Sequence, residues 1–170
     1  RLGGKATLGR SVLGTLTPGR GLQAIRLHGT APRAPAGVAF VPMLHGYKNE
    51  AGHELTLIAL VNPDSLSNFQ HLTLETDSFD SVVTSYGGQV LATSGPAAGH
   101  VGTWVNQRVP VFTHYLPGQE HAAYIGAGVL GENQIVGFRV SGTKPLLVIV
   151  EESSSSAVQR WLREARALLG

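Results

Sequence analysis

The run 126–131 reads GAGVLG and matches the G-x-G-x-x-G pattern by which many proteins bind a dinucleotide. That chemistry requires the last glycine to open a helix whose first N–H groups face the pyrophosphate. The residues that follow, 132–140, instead have the apolar and β-branched content of a strand, and Gly142 and Pro145 come directly after them. The sequence therefore predicts a glycine-rich loop between two strands and no nucleotide cofactor.

Seven histidines raise the alternative of a metal centre: His28, His45, His53, His71, His100, His114 and His121. None has a partner at the close spacing of a recognised zinc site. A turn at 117–118 could still bring His114 near Glu120 and His121, and a second loop could do the same within 45–54. We predict surface or turn histidines without a bound metal. The cluster at 114–121 is the alternative place for an active site.

Two pairs of carboxylates could perform acid–base chemistry or bind Ca²⁺, namely Asp77 with Asp80 and Glu151 with Glu152. Their positions at turns and strand ends explain them without a reaction. No serine lies in a G-x-S-x-G sequence or in a recognisable order with His and an acid. The chain also has no cysteine, which excludes thiol chemistry and disulfides. We therefore predict that the protein is not an enzyme and has no catalytic residues.

Aromatic residues offer a binding surface rather than a reactive one. Trp104, Tyr86 and Tyr115 could line an exposed face that contacts a ligand.

Charged residues make up only 14% of the 170 residues, against about 25% in ordinary soluble domains. A surface with so few charges suits a protein that packs against neighbours. No apolar run approaches the roughly 18 residues of a transmembrane span.

Short apolar or alternating segments recur from residue 37 onward and predict strands. They are 38–43, 55–61, 69–76, 81–86, 89–93, 101–105, 109–115, 122–125, 135–140 and 146–150. Gly87 and Gly88 lie between two of them and favour a hairpin turn. The spacing predicts an all-β fold, a single β-sandwich or jelly-roll-like barrel of about nine short strands over 37–152.

Residues 1–36 predict an extended basic arm, since they contain seven Gly and three Pro and precede the first acidic residue, Glu50. Four arginines of this arm are candidate assembly contacts: Arg10, Arg20, Arg26 and Arg33. The arm could contact nucleic acid, an anionic surface or a neighbouring subunit. The alternative is a solvated extension.

Residues 153–170 predict a C-terminal amphipathic helix. Ser156 and Gln159 fit a capping box, and an apolar stripe follows at helical spacing: Val158, Trp161, Leu162, Ala165, Leu168 and Leu169. Such a short helix needs a surface to pack on. That surface is either the β core of the same chain or another subunit, and in the second case Trp161, Leu162 and Leu169 would be the contacts.

The stretch 54–152 resembles immunoglobulin-like β-sandwich modules of bacterial secreted and surface-layer proteins. The features that carry this resemblance are the strand end at 60–63, the hairpin at 86–91 and the two strands 136–140 and 145–151. The combination of arm, sandwich and low surface charge is also similar to single β-barrel capsid proteins of tailless phages. Both resemblances imply a protein located outside the cell, at the cell surface or in a virion.

From these observations we expect a non-catalytic structural protein that self-assembles into a virus capsid, a surface layer or an extracellular filament. Its partners would be copies of itself or a related subunit. The alternative is a carbohydrate- or protein-binding β-sandwich module of a secreted protein. Neither function requires a cofactor or a metal.

Overall fold

A computed structural model describes residues 8–18, 39–63, 66, 79–94 and 99–169. The chain divides into two compact units, one formed by 1–66 with 142–145 and the other by 67–141 with 146–170. We call them unit 1 and unit 2 and describe each separately.

Unit 1 contains a four-stranded antiparallel sheet whose central strand is β3. The strands are β1 (Ser11–Leu13), β2 (Thr17–Pro18), β3 (Ala39–Lys48) and β4 (Glu54–Val61). Strands β1, β2 and β4 all pair with β3. The first two belong to the predicted arm, so this part of it bonds to a strand of its own chain. Arg10 is exposed, whereas Arg20, Arg26 and Arg33 lie outside the described residues.

Unit 2 contains a five-stranded antiparallel sheet with β9 at its centre. The strands are β5 (Asp80–Ser85), β6 (Val90–Thr93), β7 (His121–Gly126), β8 (Gln134–Val140) and β9 (Leu146–Ser153), in the order β6–β5–β9–β8–β7. The hairpin predicted at Gly87 and Gly88 is confirmed, because it joins β5 to β6.

One face of this sheet carries the hydrophobic core of unit 2. Its buried side chains come from the strands and from the connections between them: Val82, Val90, Val105, Val109, Val111, Val129, Val136, Phe138, Leu147 and Ile149. Side chains alternate between the two faces of a strand, so residues of the same strands also form a second face. That second face exposes Ile125, Ile135 and Val148 to solvent.

The predicted strands 101–105 and 109–115 are wrong. Residues 101–109 form turns and loops apart from one bridge at Trp104, and Val111–Tyr115 form a single π-helical turn that Pro110 precedes. The N–H of Leu116 donates to the carbonyl of Val111 at 2.9 Å, which closes this turn locally. Val105, Val109 and Val111, which suggested strands, are nevertheless buried in the core. Short apolar runs therefore identified buried residues without identifying their backbone conformation.

The C-terminal helix α1 (Ser154–Leu169) follows β9 directly and begins two residues before the predicted capping residue. Its apolar stripe lies largely in solvent, with Trp161 65% exposed and Leu168 87% exposed. Of the two surfaces predicted for this stripe, the core of the same chain does not cover it. Contact with another subunit stays a prediction. No helix in the described ranges is both long enough and apolar enough to span a membrane.

The predicted predominance of β structure with one C-terminal helix is confirmed. The β-sandwich or jelly-roll arrangement concerns how the two sheets stack, and it stays a prediction. The predicted strand 69–76 lies outside the described residues.

Gly88 tests the hairpin between β5 and β6. Its φ of +92° is unfavourable for other residues, and an added Cβ would lie 2.7 Å from the Cβ of Asn106. We expect Gly88→Ala to lower the free energy of unfolding by about 1–3 kcal/mol, measured by urea denaturation. The neighbouring Gly87→Ala is the control, because its Cβ would make an ordinary 3.6 Å contact with the Trp104 ring. Equal stability of the two variants would contradict this account.

Candidate functional site

A polar pocket lies at one end of the unit 2 sheet, where β5 and β8 begin and β9 continues into α1. It has a volume of about 430 Å³, which is within the usual range for small-molecule sites. It is lined by Asp80, Leu130, Gln134, Ser153, Ser156, Gln159 and Arg163. We call it the polar pocket.

Strand register and helical spacing bring these residues together. Gln134 of β8 is the cross-strand partner of Ser153 of β9. Because β9 runs straight into α1, the first turns of the helix lie beside the ends of the strands. Ser156, Gln159 and Arg163 are three and four residues apart and therefore share one side of α1.

The pocket combines two opposite charges with neutral hydrogen-bonding groups. Asp80 supplies a carboxylate, and burial raises the pKa of this carboxyl above its ordinary value. Arg163 supplies a guanidinium group, which can hold a carboxylate through two parallel hydrogen bonds. The remaining amide and hydroxyl groups both donate and accept hydrogen bonds. This set of side chains suits a small molecule that carries a cationic and an anionic group.

A buried carboxylate fixes one wall of the pocket. Glu151 is 1% exposed, and its Oε1 and Oε2 accept the N–H groups of Val129 and Leu130 at 2.6 and 3.0 Å. Burial raises the pKa of Glu151, whereas these two bonds and nearby Arg108 favour its charged form. Since Leu130 lines the pocket, Glu151 positions that wall from the core side of β9.

The glycine-rich run forms the loop that surrounds this carboxylate. Nη2 of Arg108 donates to the carbonyl of Val129 at 2.6 Å, and the Tyr124 hydroxyl donates to the carbonyl of Ala127 at 3.0 Å. An added Cβ at Gly128 would overlap the Glu151 carboxylate. The predicted loop between two strands is therefore confirmed. Two of its amides bind a carboxylate of the chain itself.

The adjacent glutamate fixes the opposite wall. Glu152 is 3% exposed, and its carboxylate pairs with the Arg160 guanidinium through contacts of 2.7 and 2.9 Å. The Arg160 guanidinium also lies 5.2 Å from the centre of the Phe79 ring. The hydrogen bond runs from Nη2 of Arg160 to Oε2 of Glu152, and Nη1 is in ion-pair contact with Oε1. This pair holds the first turns of α1, which carry Ser156 and Gln159, against the sheet.

The three residues of the predicted aromatic ligand face differ in their surroundings, and the face stays a prediction. Tyr86 and Trp104 are 42% and 54% exposed, and both flank the turn between β5 and β6. Tyr115 instead packs on the core, with its ring 5.3 Å from that of Tyr124 and 5.5 Å from that of Phe138. Neither group lines the polar pocket.

None of the histidines that the structure describes lines the polar pocket. His114 contacts the Tyr115 ring edge to face, and His121 pairs across the sheet with Arg139. In the part of the chain that the structure describes, no three His, Cys, Asp or Glu side chains come close enough together to hold a metal ion.

Asp80, Glu151 and Glu152 belong to the carboxylate pairs that the sequence assigns to turns and strand ends. Asp80 and Glu151 are direct cross-strand partners, although they are far apart in sequence. Asp77 lies outside the described residues. The available signal was the pair Glu151 and Glu152 at the end of an apolar strand, where alternation sends one carboxylate to each face.

No family model matches the chain. No curated protein is similar to it in sequence. Several solved structures share its fold, and three of them show the range of similarity. The extracellular domain of a candidate histidine kinase, rpHK1S-Z16, has 17% identity and a TM-score of 0.59 over 72% of this chain and 51% of that one.

The other two structures are bacterial chemoreceptor domains. The periplasmic sensory domain of Campylobacter jejuni Tlp1 has 10% identity and a TM-score of 0.58, over 87% of this chain and 50% of its own. The ligand-binding domain of Pseudomonas aeruginosa PctB, in complex with L-Arg, has 10% identity and a TM-score of 0.58, over 94% and 56%. The chain thus spans about half the length of the structures it matches.

These similarities correct the predicted resemblance and the predicted function. The structures that share the fold are sensory domains, so the resemblance to immunoglobulin-like surface modules and to phage capsid proteins is wrong. The predicted function, that of a structural subunit of a capsid, surface layer or filament, is wrong for the same reason. The physical cause of the error is that alternating antiparallel strands occur in many folds, and strand pattern alone does not distinguish them. The predicted alternative, a binding module, agrees better with these structures.

Glu151 provides the test of how the pocket wall is held. Glu151→Ala leaves the N–H groups of Val129 and Leu130 without their acceptor. We expect it to lower the free energy of unfolding by about 2–4 kcal/mol, measured by urea denaturation. The exposed Glu132→Ala is the matched control, with an expected change within about 0.5 kcal/mol. A Glu151→Ala variant as stable as the control would refute a positioning role.

Proposed function

We propose that this chain is a ligand-binding module of a bacterial sensory receptor and acts on the extracellular or periplasmic side of the membrane. The observation that carries the proposal is the polar pocket, in which Asp80 and Arg163 present opposite charges to one small volume. The fold supports it, because the similar structures are sensory domains. The function is binding and requires no chemical step.

The ligand that we propose is a free amino acid. Asp80 would accept hydrogen bonds from the ammonium group, and Arg163 would bind the carboxylate. Gln134 and Gln159 would complete the hydrogen bonds of both groups, and Leu130 would contact the side chain. The pocket volume of about 430 Å³ is sufficient for such a molecule. The solved PctB domain, which shares the fold, contains L-Arg.

Thermal unfolding with individual L-amino acids tests this proposal. A ligand at one hundred times its dissociation constant stabilises the folded state by about 2.7 kcal/mol, which for a chain of this size raises Tm by about 5–10 °C. We expect at least one amino acid to produce such a shift. We expect Asp80→Asn and Arg163→Gln each to weaken its binding at least about tenfold, measured by titration calorimetry.

Each variant has a control that removes the same charge elsewhere: Arg166→Gln for Arg163→Gln, and Glu132→Gln for Asp80→Asn. Arg166→Gln changes α1 outside the pocket, and Glu132→Gln changes an exposed carboxylate. Both should bind as the unmodified chain does. A screen in which no amino acid shifts Tm would reject the ligand class, and equal binding by the Asp80 and Arg163 variants would reject the site.

The proposal also predicts a pH dependence of binding. The ammonium group of the ligand requires a charged Asp80, whose pKa is raised above 3.8 by burial. Protonation removes the negative charge, so affinity should fall as the pH is lowered through this raised pKa and begin to fall above pH 3.8. Calorimetric titrations between about pH 4 and 7 measure the effect.

Asp80→Asn supplies the control for this pH series. The variant should bind weakly, with a smaller change over the same pH range, and any remaining change would report Glu151, the cross-strand carboxylate. An affinity that stays constant while the chain remains folded would contradict ionic recognition by Asp80.

A further inference from the structure

The second face of the unit 2 sheet contains an apolar groove. It is lined by residues of β7, β8 and β9 and has a volume of about 590 Å³. Three adjacent strands are about 10 Å wide, which is also the width of an α-helix. Ile125, Ile135 and Val148 of this face are 76%, 38% and 40% exposed.

The middle of the groove is a depression made by small residues. Gly137 is the cross-strand partner of Ala123 on one side and of Val150 on the other. A Cβ added to Gly137 would meet no atom within 4 Å, so the depression is open to solvent. Larger side chains border it, so it has the shape to accept one bulky side chain.

One border of this depression is positively charged. Arg139 and His121 are cross-strand partners in the next row of the same face, two residues along from Gly137 and Ala123. Both are exposed. A bulky apolar group in the depression would therefore lie close to a guanidinium group, and a partner with an acidic residue beside that group would match the surface.

Helix α1 presents these two features together on its exposed side. Trp161 is 65% exposed and is the largest side chain of the apolar stripe. Glu164 is the one acidic residue of α1 and lies one turn after Trp161, so the two side chains are neighbours on the helix surface. Val158, Leu162 and Leu168 extend the stripe and are 56%, 40% and 87% exposed.

The helix cannot place this stripe on its own sheet in the observed arrangement. Ser156, Gln159 and Arg163 line the polar pocket and occupy the side of α1 opposite the stripe. The contact of Arg160 with Glu152 holds that orientation. Turning the stripe toward the groove of the same chain would break this buried ion pair and open the pocket.

We propose that two copies of this chain form a closed dimer in which α1 of each copy packs in the sheet groove of the other. Trp161 fills the depression at Gly137 and Ala123, and Glu164 pairs with Arg139 across the interface. Both complementary surfaces, the stripe of α1 and the groove, lie on unit 2. A two-fold axis therefore pairs each stripe with the groove of the other copy and leaves neither surface free to add a third copy. This inference does not depend on the identity of the ligand.

Sedimentation velocity over a range of concentrations tests the dimer with the full chain. We expect twice the chain mass at high concentration. Trp161→Ala should raise the dissociation constant roughly a hundredfold, because an aromatic contact at the centre of an interface is lost twice. Gly137→Leu should have a similar effect, because it fills the depression, and the open space at this site leaves the monomer fold intact.

A charge exchange distinguishes the proposed pairing of Glu164 with Arg139 from non-specific hydrophobic association. Glu164→Arg and Arg139→Glu should each weaken the dimer about tenfold, and the double variant should restore most of the affinity. Glu132→Arg is the control, because it makes the same charge change at an exposed carboxylate outside both α1 and the groove, and it should leave the dimer unchanged. A chain that remains monomeric at all concentrations would overturn the proposal, and so would a dimer that Trp161→Ala and Gly137→Leu leave intact.

Discussion

Two adjacent buried carboxylates at the end of β9 determine how the rest of unit 2 is arranged. Alternation along the strand sends Glu151 to the core face and Glu152 to the opposite face. Each charge would be costly to bury alone, and each is satisfied by a different part of the chain. Glu151 binds the N–H groups of the loop 127–131, and Glu152 binds Arg160 of α1. The polar pocket lies between the two elements that these carboxylates hold.

The pocket illustrates how an antiparallel sheet can form a binding site at its end. Backbone hydrogen bonds stop where the strands stop, and polar side chains collect there. Asp80 starts β5 and Arg163 lies on α1, so the two charges of the polar pocket come from separate, firmly held elements. A ligand that bridges them would couple the strand to the helix. This arrangement gives the proposed sensory function a physical basis.

Helix α1 serves two purposes because its two sides differ in chemistry. The polar side completes the pocket, and the apolar side remains exposed. An exposed stripe that includes Trp161 is unfavourable for a monomer in water, whereas the groove at Gly137 offers a surface of matching shape and charge. The proposed dimer removes both apolar surfaces from water without changing the pocket.

The sequence by itself determined the local structure: most strands of the described sheets, the hairpin at Gly88, the loop at 126–131 and the C-terminal helix. These features follow from periods of two or about 3.6 residues and from turn residues, which act over a few neighbours. The strand predicted from the sequence at 109–115 is wrong, because the valines there are apolar on account of their burial and not because they belong to an alternating strand. Only the tertiary structure decided that Asp80 lies beside Glu151 and that Glu152 meets Arg160. The physical reason is that strand register and side-chain pairing depend on contacts between residues distant in sequence, which no local pattern records.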